Sequence, residues 1–127
     1  PTIPMAHWPE PSQAEMLRTV AVARLLLPEV NIQAPPNLSV PYYEELVDAG
    51  INDWGGISPL TPDFINPEMP WPHLEQLRLR TKGKGCALRQ RLPVYPEFVA
   101  AVMSRPGLLS EKLRHATADD GLARRAA

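Results

Sequence analysis

The chain has 127 residues, 13 basic and 14 acidic, and a formal net charge of −1. That length suits one modest domain, and the balanced charge gives no field that would favour nucleic acid or an anionic membrane surface. No apolar run approaches the roughly 18 residues of a membrane span, and no charged-then-apolar secretory signal opens the sequence. A single cysteine, Cys86, excludes an internal disulfide and a CxxC-type metal site, so a reducing, cytoplasmic location is expected. The 16 prolines fall between periodic segments and read as loop punctuation. The sequence opens on Pro1-Thr2-Ile3-Pro4 without an initiator methionine, which suggests a piece of something longer.

Residues 1–11 form a proline-rich opening loop carrying His7 and Trp8. Ser12-Gln13-Ala14-Glu15 has the form of a capping box, in which Ser12 accepts from the Glu15 amide and the Glu15 carboxylate reaches back. Met16, Leu17, Val20, Ala21 and Leu27 recur at helical spacing, with Arg18 and Arg24 off the densest part of the apolar face. A helix over 12–27, ended by Pro28, is predicted. Residues 30–34 are a short strand stopped by Pro35-Pro36. Ser39 and Pro41 open a second helix with Tyr43, Leu46 and Val47 inward and Gly50 as its C′ residue.

Ile51 begins the next strand, which runs into Gly55-Gly56. Residues 59–72 form a long loop with five prolines, a length that is often functional. A third helix is predicted over 73–82, with Leu74 and Leu77 inward and Gly83 and Gly85 at its end. Alternation of Cys86, Leu88, Gln90, Leu92 and Val94 with Ala87, Arg89, Arg91 and Pro93 predicts a half-exposed strand, on which Cys86 is a small apolar residue. Pro96 starts a short helix carrying Phe98, Val99, Val102 and Met103. From Ser110 the charged, alanine-rich tail reads as a frayed helix or a linker. The order helix, strand, helix, strand is the grammar of an α/β fold with a parallel sheet.

In such folds the residues just past the strand C-termini face the ligand. Gln33 and Asn37 flank the double proline, and their amides suit a ligand with mixed hydrogen-bonding edges, although pairing with loop backbone is the plainer role. Asn52-Asp53-Trp54-Gly55-Gly56 is denser. Asn and Asp disfavour a strand, Trp54 offers a stacking face, and two glycines let a backbone approach a ligand. The alternative is a turn anchored by a buried tryptophan. His7 has the chemistry of an acid or base, but a lone histidine beside Trp8 is more often structural, and His73 and His115 rank below it. Asp63, Glu68 and Glu75 do not pair into a carboxylate dyad by spacing. Lys82-Gly83-Lys84-Gly85 lacks the spacing of a phosphate loop and reads as a solvated helix end.

The run Asn31-Ile32-Gln33-Ala34-Pro35-Pro36-Asn37-Leu38-Ser39 and the run Ala-Gly-Ile-Asn-Asp-Trp-Gly-Gly-Ile-Ser-Pro-Leu-Thr from Ala49 to Thr61 resemble the FO synthase family of radical S-adenosylmethionine enzymes. Asn66-Pro67-Glu68, Pro70-Trp71-Pro72, Arg91-Leu92 and Tyr95-Pro96 continue the pattern, and Ala21-Val22-Ala23-Arg24 with Thr2 and Met5 fit its upstream part. The resemblance covers nearly the whole chain, weakens after about residue 104, and is specific to the part that completes the 5-deazaflavin ring system. It implies the C-terminal part of a radical S-adenosylmethionine (β/α) barrel of TIM type, with the last two to three βα units in residues 1–104 and an extension or linker in 105–127.

The family builds 7,8-didemethyl-8-hydroxy-5-deazariboflavin, on the way to coenzyme F-420. Its substrate is a tyrosine-derived adduct of 5-amino-6-(D-ribitylamino)uracil. Its cofactors are S-adenosylmethionine and a 4Fe-4S cluster on a CxxxCxxC loop. That loop is absent here, so the chain by itself is expected to be inactive. The resemblance further implies a partner radical enzyme, separate or fused. It makes Gln33, Asn37, Asn52 and Asp53 hydrogen-bonding groups for the uracil or ribityl part, Trp54 a wall or stacking face for the ring, and Ser58 an added hydroxyl. The competing readings are another radical enzyme of biotin-synthase or thiazole-synthase type, and a free-standing, non-catalytic α/β binding module. A partial barrel leaves a strand edge open, so the isolated chain is expected to aggregate.

Overall fold

Ser12 starts the first helix as a capping box. In the computed structural model, which describes residues 7–40 and 42–124, Ser12 N–H donates to Glu15 Oε2 at 2.9 Å and Glu15 N–H donates to Ser12 Oγ at 3.3 Å. Two of the orphan donors of the helix end are thereby satisfied. Helix α1 runs Gln13–Leu26, within a residue of the predicted span, and buries Val20. The opening segment through residue 6, with Thr2 and Met5, and the role of Pro41 as a helix opener lie outside the described residues.

Two compact units divide the chain, residues 1–86 and residues 87–127. The boundary expected after residue 104 falls within the second. In the first unit a 3-10 turn, Pro36–Ser39, precedes helix α2, Tyr43–Ala49, so the second helix starts later than Ser39. Gly50 caps α2 at φ +115, the left-handed conformation that a C-terminal glycine supplies. Helix α3, Leu74–Gly83, follows the proline loop. α2 packs against both α1 and α3. Tyr43, Leu46, Ile51, Trp54 and Leu77 make the core between them, joined by buried Asn37, Ser39 and Thr81.

Residues 30–34 and the segment from Ile51 run in parallel, as the alternating pattern expects, but they meet in a single bridge, Gln33 to Asp53. Ala34 N–H donates to Asp53 O at 3.1 Å and Asn52 N–H to Ile32 O at 3.2 Å. The pairing stops there. Pro35 and Pro36 have no N–H to extend it, and Gly55-Gly56 turns the other segment away. Two short strands without further neighbours do not make a stable sheet.

In the second unit helix α4 spans Pro96–Met103 and helix α5 spans Glu111–Ala116. The half-exposed strand expected over 86–94 is not formed. Arg91 makes one antiparallel bridge to Leu122, and Gln90 O accepts from Ala123 N–H at 2.8 Å. Pro93, at one of the alternate positions, has no N–H to extend the pairing. Cys86 is exposed and sits on no strand, against the expectation of a strand residue. The tail is ordered by a Ser110 cap on Leu113 N–H at 3.4 Å and by an Arg89–Asp120 ion pair. No described helix is long and apolar enough to cross a membrane.

Candidate functional site at the end of the parallel pair

The parallel bridge brings Gln33 and Asp53 side by side at the common C-terminal end of two extended segments. Gln33 is exposed and Asp53 half-buried. Asp53 Oδ1 accepts from Gly55 N–H at 2.9 Å, which curls the backbone into a tight turn. Gly55 takes φ +76, and its missing Cβ leaves room for the Gln33 side chain. The site therefore offers an amide and a carboxylate, both anchored by backbone geometry, beside a glycine pair.

The other expected site residues divide. Asn52 spends its polar atoms on the fold. Its Oδ1 accepts from Ile32 N–H at 2.8 Å and its Nδ2 donates to Asn31 Oδ1 at 2.7 Å, so it bolts the two extended segments together. Trp54 is 7% exposed and meets Tyr43 edge to face, with ring centroids 5.7 Å apart. Its Nε1–H donates to Thr81 Oγ1 at 3.2 Å. This corrects the expectation of a stacking face: burial against α2 and α3 makes Trp54 the core anchor. Ser58 Oγ accepts from Leu60 N–H, Thr61 N–H and Thr61 Oγ1–H, the last at 2.7 Å. It organises the start of the proline loop and lines an open cavity of about 280 Å³ with Thr61, Pro67, Pro70 and Trp71.

Asn37 is 1% exposed and belongs to a network under the same loop. Its Nδ2 donates to Asp63 Oδ2 and to Met69 O, both at 3.0 Å. Both partners are acceptors only, so the amide nitrogen faces them and Oδ1 faces away. That Oδ1 is buried without a partner, as is the indole nitrogen of Trp71. Asp63 also accepts from Asn66 Nδ2 at 3.1 Å and from the Ile65 and Asn66 amides. The Asn66 side chain is the largest influence and lowers the Asp63 carboxyl below its ordinary range; desolvation, next in size, opposes it, and the Ile65 and Asn66 amides and Asn37 add smaller lowering effects.

Sequence reasoning missed Arg24, Asp63 and Trp71. Arg24 was placed off the apolar face. Its guanidinium instead donates to Gly50 O, Pro28 O and Val30 O at 2.8, 2.7 and 2.8 Å. An arginine one turn before a helix-ending proline, with a C-terminal glycine ahead, is the signal that points to such a clamp. Asp63 has the Asp-x-x-Asn spacing of a self-capping turn.

These residues do not fit a 4Fe-4S cluster. Among the described residues no group of three His, Cys, Asp or Glu could hold a metal ion, and the chain's one cysteine is isolated.

The chain matches no family model and no solved structure. Three relatives carry the comparison. The 7,8-didemethyl-8-hydroxy-5-deazariboflavin synthase of Methanopyrus kandleri is 48% identical over 124 residues, which is 98% of this chain and 37% of that protein. The synthase of the same name from Methanothermobacter thermautotrophicus is 44% identical over 109 residues, 86% of this chain and 33% of that protein. The FO synthase of Streptomyces coelicolor is 49% identical over 100 residues, 78% of this chain and 12% of that protein. The chain thus spans between 12% and 37% of the length of these curated relatives. Over the segment it spans, the chain belongs to the FO synthase family.

Proposed function

We propose that this chain is the substrate-side, C-terminal part of a radical S-adenosylmethionine FO synthase. In that enzyme it helps to form 7,8-didemethyl-8-hydroxy-5-deazariboflavin from the tyrosine-derived adduct of 5-amino-6-(D-ribitylamino)uracil. The parallel meeting of Gln33 and Asp53 carries the reading. It places an exposed amide and a half-buried carboxylate at one strand end, where open and closed α/β sheets bind ligands. Helices α1, α2 and α3 alternate with the bridged segments at Gln33 and Asp53, an order that supports the last βα units of a (β/α) barrel.

The cluster and S-adenosylmethionine belong to the remainder of the enzyme, and this chain holds neither cluster ligands nor a step of radical chemistry. Its share is to bind and orient the uracil or ribityl part and to keep water from it. Gln33 and Asp53 contact the ligand directly. Asn52 and Trp54 support them from the fold, and Asn37 and Ser58 set the proline loop beside them. A partner radical module fits the greater length of the Streptomyces relative, of which the matched stretch is only 12%.

Alanine at Gln33 or Asp53 in a full-length synthase carrying this segment tests the reading. Affinity for 5-amino-6-(D-ribitylamino)uracil should fall about five- to tenfold, the loss of a hydrogen bond to a ligand, and turnover should fall with it, with iron content unchanged. Unchanged affinity for both variants would refute it.

A further inference from the structure

Gln33 rests on Gly55, and the contact exists because residue 55 has no side chain. A Cβ at that position would lie 2.5 Å from Gln33 Nε2, 2.8 Å from its Cδ and 3.2 Å from its Cγ. The two nearest of these atoms belong to the amide end of the side chain. The adjacent Gly56 differs: a Cβ there meets nothing within 4 Å. The glycine pair is therefore not a uniform hinge. A side chain at 55 would displace the Gln33 amide and strain a backbone at φ +76, whereas one at 56 would displace nothing.

Three residues close into a unit. Asp53 Oδ1 accepts from Gly55 N–H at 2.9 Å and so helps to hold φ at +76. Gly55 seats the Gln33 amide, and Gln33 is the bridge partner of Asp53. An exposed glutamine ordinarily samples many rotamers and loses that freedom when it binds. Seating it beforehand lowers the ordering loss on association.

We propose that Gly55 is a positioning residue. It seats the Gln33 amide beside the Asp53 carboxylate, so that the amide offers one donor and one acceptor to a ring edge carrying the complementary pair, as a pyrimidinedione does. This deepens the proposed function and rests on its reading of Gln33 as a ligand-binding group.

A double-mutant cycle in the full-length synthase, with 5-amino-6-(D-ribitylamino)uracil as the probe and calorimetry as the readout, separates seating from backbone strain. Gln33→Ala and Gly55→Ala should each weaken binding about five- to tenfold. In the Gln33→Ala background, Gly55→Ala should change affinity less than about twofold, because there is no amide left to displace. Gly56→Ala should stay within about twofold of the parent. If Gly55→Ala weakens binding equally in both backgrounds, or not at all, the positioning role is overturned while the ligand-binding role of Gln33 stands. If Gln33→Ala itself leaves affinity unchanged, the underlying reading fails as well. Should Gly55→Ala fail to fold alone, recovery of folding in the double variant supports the steric coupling, and failure in both backgrounds overturns it.

Discussion

Replacing Arg24 should loosen the joint between α1, the extended segment after it and the end of α2. The guanidinium makes three hydrogen bonds of 2.7–2.8 Å to backbone oxygens of Gly50, Pro28 and Val30, and two longer ones of 3.4 Å to Leu27 O and Asn52 Oδ1. A buried charge-assisted bond contributes about 1.5–3 kcal/mol net. Arg24 is only half-buried and the freed carbonyls can rehydrate, so roughly 1 kcal/mol for each short bond is the fitting figure. Arg24→Ala should then lower the free energy of local opening by about 3 kcal/mol, or roughly a hundredfold in the opening equilibrium. Amide hydrogen exchange in the full-length protein reads this directly at Asn52 N–H, which donates to Ile32 O, and at Gly50 N–H, which donates to Leu46 O. Arg24→Lys keeps the charge but not the planar fork, and should recover no more than about a third of the loss. Exchange accelerated less than about threefold by alanine, or lysine behaving as the parent, would refute the clamp.

Thr81→Val removes the acceptor of the buried Trp54 indole N–H while keeping the side-chain volume; it should destabilise by about 1–3 kcal/mol in a urea titration of the full-length protein, and a neutral result would remove Trp54 from its anchoring role. The Asp63 carboxyl is held below its ordinary value of 3.8, so its contribution is complete above that pH and is lost as pH falls through the lower folded value. A carbon NMR titration of the Asp63 carboxyl should show a midpoint below 3.8, and a midpoint at or above it would contradict the Asn66 and Asn37 bonds. Leu25, Leu26, Leu60, Phe64 and Ile65 are each more than 70% exposed, so the 127-residue chain alone should self-associate in sedimentation experiments, and a monomer with sharply cooperative unfolding would contradict this.

The helices were legible because their signals are local. Ser12 with Glu15, Gly50 after α2 and Pro96 before α4 each mark a boundary with backbone chemistry that needs no distant partner. The extended segments were legible in place and direction but not in extent, since a ladder depends on neighbours that sequence periodicity cannot count. Residues 86–94 alternate like a strand, yet only Arg91 and its neighbour find partners. At the candidate site, the strand-end rule singles out Gln33 and Asp53, and the structure sets them side by side as bridge partners. Asn52 and Trp54 obey the same rule, but exposed Asn52 is bonded to Asn31 and Ile32 and buried Trp54 to Thr81. Arg24 and Asp63 combine local bonds, to Pro28, Val30, Ile65 and Asn66, with one distant partner each, Gly50 O and Asn37 Nδ2, and only the local part is marked by their spacing.

The coding DNA upstream of Pro1 tests the central claim most directly. An uninterrupted frame carrying CxxxCxxC about two hundred residues before Pro1, as the usual size of a (β/α) barrel requires, is the expected result. A start codon immediately before Pro1, with no such motif in frame, would contradict the assignment of this chain to the substrate side of a radical enzyme.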